Sequence, residues 1–169
     1  MSHLLNGFAQ PALQETVVPF GSLDAPAQEL LIAAFAVRQR AYAPYSNFKV
    51  GAAFRATSTN IIFPGCNVEN AAFSPTSCAE RSALTRAVSD GYREFSSGAV
   101  VAYEPDVFTS PCGVCRQFIR EFAGHTDMPL YIAQGLDERS ADQPFTSDDP
   151  VFCTSIFNLL PNSFKTYCK

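Results

Sequence analysis

Ser77-Cys78-Ala79-Glu80-Arg81 and, further along, Pro111-Cys112-Gly113-Val114-Cys115-Arg116 are the two stretches that organise this chain. Together they offer three thiols to one tetrahedral metal, with a carboxylate two residues beyond the first. A structural zinc is normally closed by four protein ligands, whereas a catalytic one keeps a position open. Three cysteines plus an adjacent acid therefore have the arithmetic of a hydrolytic zinc enzyme. Each stretch also begins a helix. Ser77-x-x-Glu80 has the form of a capping box, and the helix after it presents Ala83, Leu84, Ala87 and Val88 inward before Asp90-Gly91 stops it. The second helix runs from Cys112 to about Ala123, burying Val114, Phe118, Ile119 and Phe122.

Working outward, Val50 to Ala56 and Ile61 to Phe63 read as strands joined by Thr57-Ser58-Thr59-Asn60, a hairpin. Ala99 to Tyr103 is an apolar run suited to a central strand, and Leu130 to Ala133 is another. Strand and helix alternate, which predicts an α/β fold with helices packed on a sheet. Upstream, Asp24 caps a helix with Pro26 in its first turn and an apolar stripe of Leu30, Leu31, Ala34, Phe35, Val37 and Ala41. Residues 1–23 carry loop signals and read as an N-terminal extension over a single domain, 24–169. The polar, acid-rich run 135–149 reads as a surface loop, and Thr154 to Leu160 as a short helix before Pro161.

Both cysteine motifs fall at helix starts, where partial positive charge and free N–H groups stabilise thiolates. Three thiolates on Zn²⁺ leave a net negative charge that opposes ionisation of a bound water. Arg81, and more weakly Arg116, are candidates to draw that charge off the sulfurs; a solvated surface arginine is the plain alternative. Glu80 is either the reciprocal residue of the capping box or a proton shuttle, and a metal ligand in the same turn favours the shuttle. Asn67 and Glu69, two apart at a strand end, reach one face and suit a diol. For Phe48, a core aromatic and a ring-stacking residue stay equally open.

The 169 residues suffice for one domain, and a net charge of −4 leaves no footprint for a polyanion. Nucleic acid is therefore not an expected partner. No run approaches a membrane span, and Met1 to Gln10 lacks the features of a secretory signal, so a cytoplasmic protein is expected. In a reducing interior the six cysteines are not a disulfide framework, and Cys66, Cys153 and Cys168 are expected to be free thiols.

Around the motifs stand Tyr45-Ser46-Asn47-Phe48-Lys49-Val50-Gly51-Ala52-Ala53 and Gly65-Cys66-Asn67-Val68-Glu69-Asn70-Ala71. With these the chain closely resembles the small cytidine deaminases of pyrimidine salvage. The resemblance is dense from Tyr42 to Phe122 and returns at Leu159-Leu160-Pro161-Asn162-Ser163-Phe164. It implies one zinc per chain on Cys78, Cys112 and Cys115, with Glu80 moving the proton during hydrolysis of cytidine and deoxycytidine to uridine and deoxyuridine. It implies that Phe48 packs on the pyrimidine, that Asn67 and Glu69 bind the ribose, and that the Ala79 backbone holds the base. Arg81 and Gln117 would support the metal ligands. It further implies a three-layer α/β/α sandwich with a mixed central sheet, and a homotetramer whose sites are shared, Phe164 of one subunit reaching a neighbour's nucleoside. Phe73 stands where a tyrosine is often found, and the leader and the run 137–149 look like additions.

Two other readings compete. A deaminase of cytosine within RNA or DNA needs a basic groove, which the acidic balance disfavours. A non-enzymatic domain would close its zinc with Cys66, Cys153 or Cys168 as fourth ligand.

Overall fold

The computed structural model describes residues 12–165 except 125 and 141. Along the chain come β1 (Thr16–Pro19), α1 (Ala25–Arg38), β2 (Val50–Ala56), β3 (Ile62–Cys66), α2 (Ala79–Ser89), β4 (Phe95–Ala102), α3 (Gly113–Phe122), β5 (Pro129–Gln134), β6 (Pro150–Ser155) and α4 (Ile156–Leu159). The strands form one sheet in the order β1-β6-β5-β4-β2-β3. β4 and β5 pair in parallel across the α3 connection, and the other neighbours are antiparallel. The sheet is therefore mixed, as expected.

Helices cover both faces. On one face α1 buries Leu30, Leu31, Ala34 and Phe35 against Ala53, Ala99 and Val101. Each large side chain removed from water there contributes about 1.5–3 kcal/mol. On the other face α2, α3 and α4 pack Ala83, Leu84, Ile119 and Ile156 against Phe54, Val100 and Leu130. The alternation of Ala52 and Phe54 to one face with Ala53 to the other follows the two-residue period of a strand. Three layers result, and among the described residues no helix is long and apolar enough to cross a membrane.

Several elements match their sequence signals closely. Asp24 caps α1 by accepting from the Ala27 N–H at 3.0 Å, and the β2–β3 hairpin turns over residues 57–60. Others differ. The first helix of the metal motif starts one residue late for a capping box: Cys78 is the N-cap of α2, and its side chain makes no cap bond. The Ser77 hydroxyl accepts from Ser82 Oγ at 3.1 Å and the Ser77 N–H donates to the Val68 carbonyl at 3.0 Å, so the Ser77–Glu80 reciprocal bond of a capping box is not made. Val114, expected inside, is 64% exposed, because α3 turns Cys115 and Ile119 to the core. The loop signals of the leader hide β1, a short β-branched run that pairs with β6 at the edge of the described sheet. β6 itself was concealed behind the helix expected from Thr154, of which only Ile156–Leu159 is helical. Residues 1–11 and Cys168 lie outside the described residues.

Candidate metal centre

Two helix starts meet at the site. Cys78 is the N-cap of α2 and Cys112 the N-cap of α3, while Cys115 lies in the first turn of α3. Among the described residues these three form a cluster of metal-ligating side chains, their sulfurs all within 4.8 Å of one another. Zn–S bonds near 2.3 Å put tetrahedral thiolates about 3.8 Å apart, so the donor set fits a zinc ion. Cys66 and Cys153 are not in the cluster, which removes them as a closing fourth ligand. Cys168, the other candidate, falls outside the described residues.

The thiols are electrostatically unequal. The Cys115 thiol bonds to Cys78 and, with help from Arg81, holds the Cys78 pKa down to about 5. Its bond to Cys78 and burial push Cys115 the opposite way. Cys78 thus carries the thiolate of the pair. Arg81 Nη2 donates to the Thr76 carbonyl at 2.8 Å and reaches Cys78 Sγ at 3.8 Å. Arg116 works on the other strand of the site: Nε donates to the Pro111 carbonyl at 2.7 Å, Nη2 to Ser110 Oγ at 3.0 Å and Nη1 to the Leu159 carbonyl at 2.9 Å. It fixes the loop that delivers Cys112 without touching sulfur.

Glu80 is 4% exposed, and its Oε2 lies 3.5 Å from Cys115 Sγ. Burial raises its carboxyl above the usual range, and the nearby Cys78 charge adds to that. A carboxyl so placed holds a proton more readily than one in water.

Beside the sulfurs opens a pocket of about 270 Å³. Phe48, Asn67, Glu69, Ala79 and Glu80 line it together with Cys78 and Cys112, so the residues expected to meet substrate come to one place. Ser46, Val50, Thr76, Val100, Thr109 and Ser110 complete the wall. These were missed, although Thr76 and Ser110 flank the two motifs and their position was the available signal.

Three of the expected site residues also bond within the chain itself. Both ends of the Asn67 amide hold backbone: Oδ1 accepts from Val50 N–H at 2.8 Å and Nδ2 donates to the Phe48 carbonyl at 2.8 Å. Glu69 Oε2 accepts from the Tyr45 N–H at 2.9 Å, and its other oxygen accepts from the Ser46 hydroxyl. The Ser46 hydroxyl first, then the Tyr45 amide, keep Glu69 below the ordinary carboxylate pKa, hence ionised. Gln117 Nε2 donates to the Phe164 carbonyl at 3.2 Å rather than to a metal ligand. Phe164 is 68% exposed and is not part of the pocket wall of its own chain.

Residues 25–130 match the family model described as the cytidine and deoxycytidylate deaminase zinc-binding region. The chain is 49% identical over 105 residues to a cytidine deaminase of Sporosarcina psychrophila, covering 62% of this chain and 75% of that one. It is 38% identical over 127 residues to a cytidine deaminase of Mycoplasma genitalium, covering 75% and 86% respectively. Its structure resembles the crystal structure of cytidine deaminase from Burkholderia pseudomallei with a TM-score of 0.67 and 40% identity, over 80% of this chain and 97% of that one.

Proposed function

The chain belongs to the cytidine deaminase family, and from that membership we propose how its own residues divide the work. The reaction is hydrolytic deamination of cytidine and deoxycytidine to uridine and deoxyuridine with release of ammonia, a step of pyrimidine salvage, with one zinc per chain. Cys78, Cys112 and Cys115 hold the metal. Zinc supplies a Lewis acid that makes water a nucleophile near neutral pH.

Glu80 moves the protons. Water adds across the C4–N3 bond, its oxygen to C4 and its proton, by way of the Glu80 carboxylate, to N3. Glu80 then takes the remaining hydroxyl proton and delivers it to the exocyclic nitrogen; the C4–N bond breaks and ammonia leaves. Both transfers need one carboxyl that takes and releases a proton within reach of the ring. The observation that carries this reading is the buried Glu80, with its raised pKa, beside the three sulfurs and in the wall of the pocket.

Phe48 packs on the pyrimidine, and the Ala79 N–H at the start of α2 holds the base. Asn67, whose amide nitrogen has a second proton to donate, and Glu69 receive the sugar hydroxyls. An ionised Glu69 repels a nucleotide phosphate, so the substrate is the free nucleoside. Arg81 steadies the Cys78 thiolate, and Gln117 acts through the C-terminal segment. The exposure of Phe164 supports its use by a neighbouring subunit, in a homotetramer with shared sites working in the cytoplasm.

Glu80→Gln tests the reading. The variant should retain zinc and lose turnover by about 10²-fold or more, followed as the decay of cytidine absorbance. Turnover near the wild-type rate with zinc bound would overturn it.

A further inference from the structure

Arg38 falls on the stripe of α1 that faces the sheet, three, four and seven residues after Phe35, Ala34 and Leu31, and is only 2% exposed. A buried guanidinium is costly unless its donors are directed at fixed acceptors. Here they are. Nε donates to the Lys49 carbonyl at 2.9 Å, and Nη1 donates to Asp137 Oδ1 at 2.6 Å. The side chain passes Gly51, where a Cβ would fall 2.8 Å from the Arg38 Cβ and 2.0 Å from the Ala34 carbonyl oxygen. Only glycine lets the last turn of α1 lie this close to the start of β2.

Lys49 sits between two pocket residues, Phe48 and Val50. Asn67 holds the Phe48 carbonyl and the Val50 N–H, so the one carbonyl between them falls to Arg38. Two side chains from distant parts of the chain thus clamp two successive peptide units, Phe48–Lys49 and Lys49–Val50. The pocket's aromatic wall is set from behind, by an arginine outside the pocket. Asp137 brings in the acid-rich run 135–149, whose exposed carboxylate aims the fork of that arginine.

We infer that Arg38 is a positioning residue for nucleoside binding, with Asp137 as its anchor, acting through the Lys49 carbonyl on the placement of Phe48. This rests on the pocket being the nucleoside site, and it gives the acidic run a task in substrate affinity. The chemistry at C4 is untouched, because Glu80 and the three cysteines belong to elements on the opposite face of the sheet from α1.

Arg38→Met keeps the length of the stem and removes the fork. KM for cytidine should rise about tenfold, the equivalent of one lost charged hydrogen bond, with kcat and zinc content as in the wild type. Calorimetric binding of cytidine to Glu80→Gln protein, with and without Arg38→Met, should weaken by the same factor. An unchanged KM, or kcat and zinc falling together with it, would overturn the inference. Should Arg38→Met fail to fold, Asp137→Ala at the surface carries the test, with a KM increase of about threefold expected and an unchanged KM decisive against it. A wild-type protein that leaves cytidine unaltered would instead count against the proposed function.

Discussion

Arg81 Nη2 binds the Thr76 carbonyl at 2.8 Å and Cys78 Sγ at 3.8 Å, so a single nitrogen joins the loop before α2 to the first metal ligand. Its charge is paired with the thiolate that the Cys115 thiol helps to stabilise. Arg81→Ala should therefore weaken zinc retention by about 10–100-fold and lower kcat, leaving KM for cytidine nearly unchanged. Zinc transfer to a chromogenic chelator, timed beside steady-state kinetics, measures both effects. Unaltered retention would return Arg81 to the role of a surface charge.

Gly65 in β3 faces the first turns of α2, and a Cβ there would lie 2.3 Å from Ala83 N and 2.9 Å from the Ala79 carbonyl oxygen. Gly65→Ala should force α2 away from the sheet and destabilise the fold by about 1–3 kcal/mol. Because α2 carries Cys78 and Glu80, zinc should be lost more readily as well. Gly113→Ala is the control: a Cβ there meets nothing within 4 Å, and the thermal midpoint should hold or rise.

Arg139 and Asp149 tie the two ends of the acidic run together, with Arg139 Nη2 on Asp149 Oδ1 at 2.9 Å. Burial on its own would raise the Asp149 carboxyl; the Arg139 guanidinium and the Thr146 N–H overcome that and hold it below the ordinary value. Its stabilisation is accordingly present above the unfolded aspartate pKa of about 3.9 and lost as pH falls through the lower folded value. Partial exposure keeps the effect under about 1 kcal/mol. Urea midpoints of wild type and Arg139→Met should differ at about pH 6, and the gap should narrow as the pH falls below about 3.9. A gap of the same size throughout would show that the pair is not its source.

The Gln117 amide grips the Phe164 carbonyl and leaves the Phe164 ring exposed. Truncation after Pro161 should raise KM for cytidine with zinc still bound. Light scattering on the full-length protein should report an assembly larger than one chain. A fully active monomer would exclude the shared pocket.

What the sequence made legible follows from how local each signal is. The three thiols and Glu80 lie within two helix starts, so their grouping needed only two helices to meet. Val50 to Ala56 was recognisable because a compact, mostly apolar run and a turn at Thr57 to Asn60 lie next to each other. Arg38 was invisible for the opposite reason. An arginine in an apolar stripe reads as a break in it, and only the position of Lys49 and Asp137 in space explains its burial. β1 and β6 were missed because their pairing joins stretches far apart in the chain, with Thr16 opposite Cys153 and Pro19 opposite Pro150. The sequence reading of Asn67 and Glu69 as groups for a diol could not show that the loop at Tyr45 to Val50 also draws on them, because those bonds span 17 to 24 residues.

Helices usually begin on a serine, threonine, aspartate or asparagine whose oxygen satisfies an N–H of the first turn. α1 and α4 do so, through Asp24 and Ser155. α2 and α3 begin on Cys78 and Cys112, and neither side chain makes that bond. A feature worth about 1 kcal/mol per helix has been given up at the two places where the metal binds. Zinc on Cys78 and Cys112 would tie down both helix starts in place of a cap, which couples metal affinity to the stability of those first turns. A change that loosens either helix start should register as poorer zinc binding, and a chelator should in turn loosen the first turns of α2 and α3 while their apolar faces stay packed on the sheet.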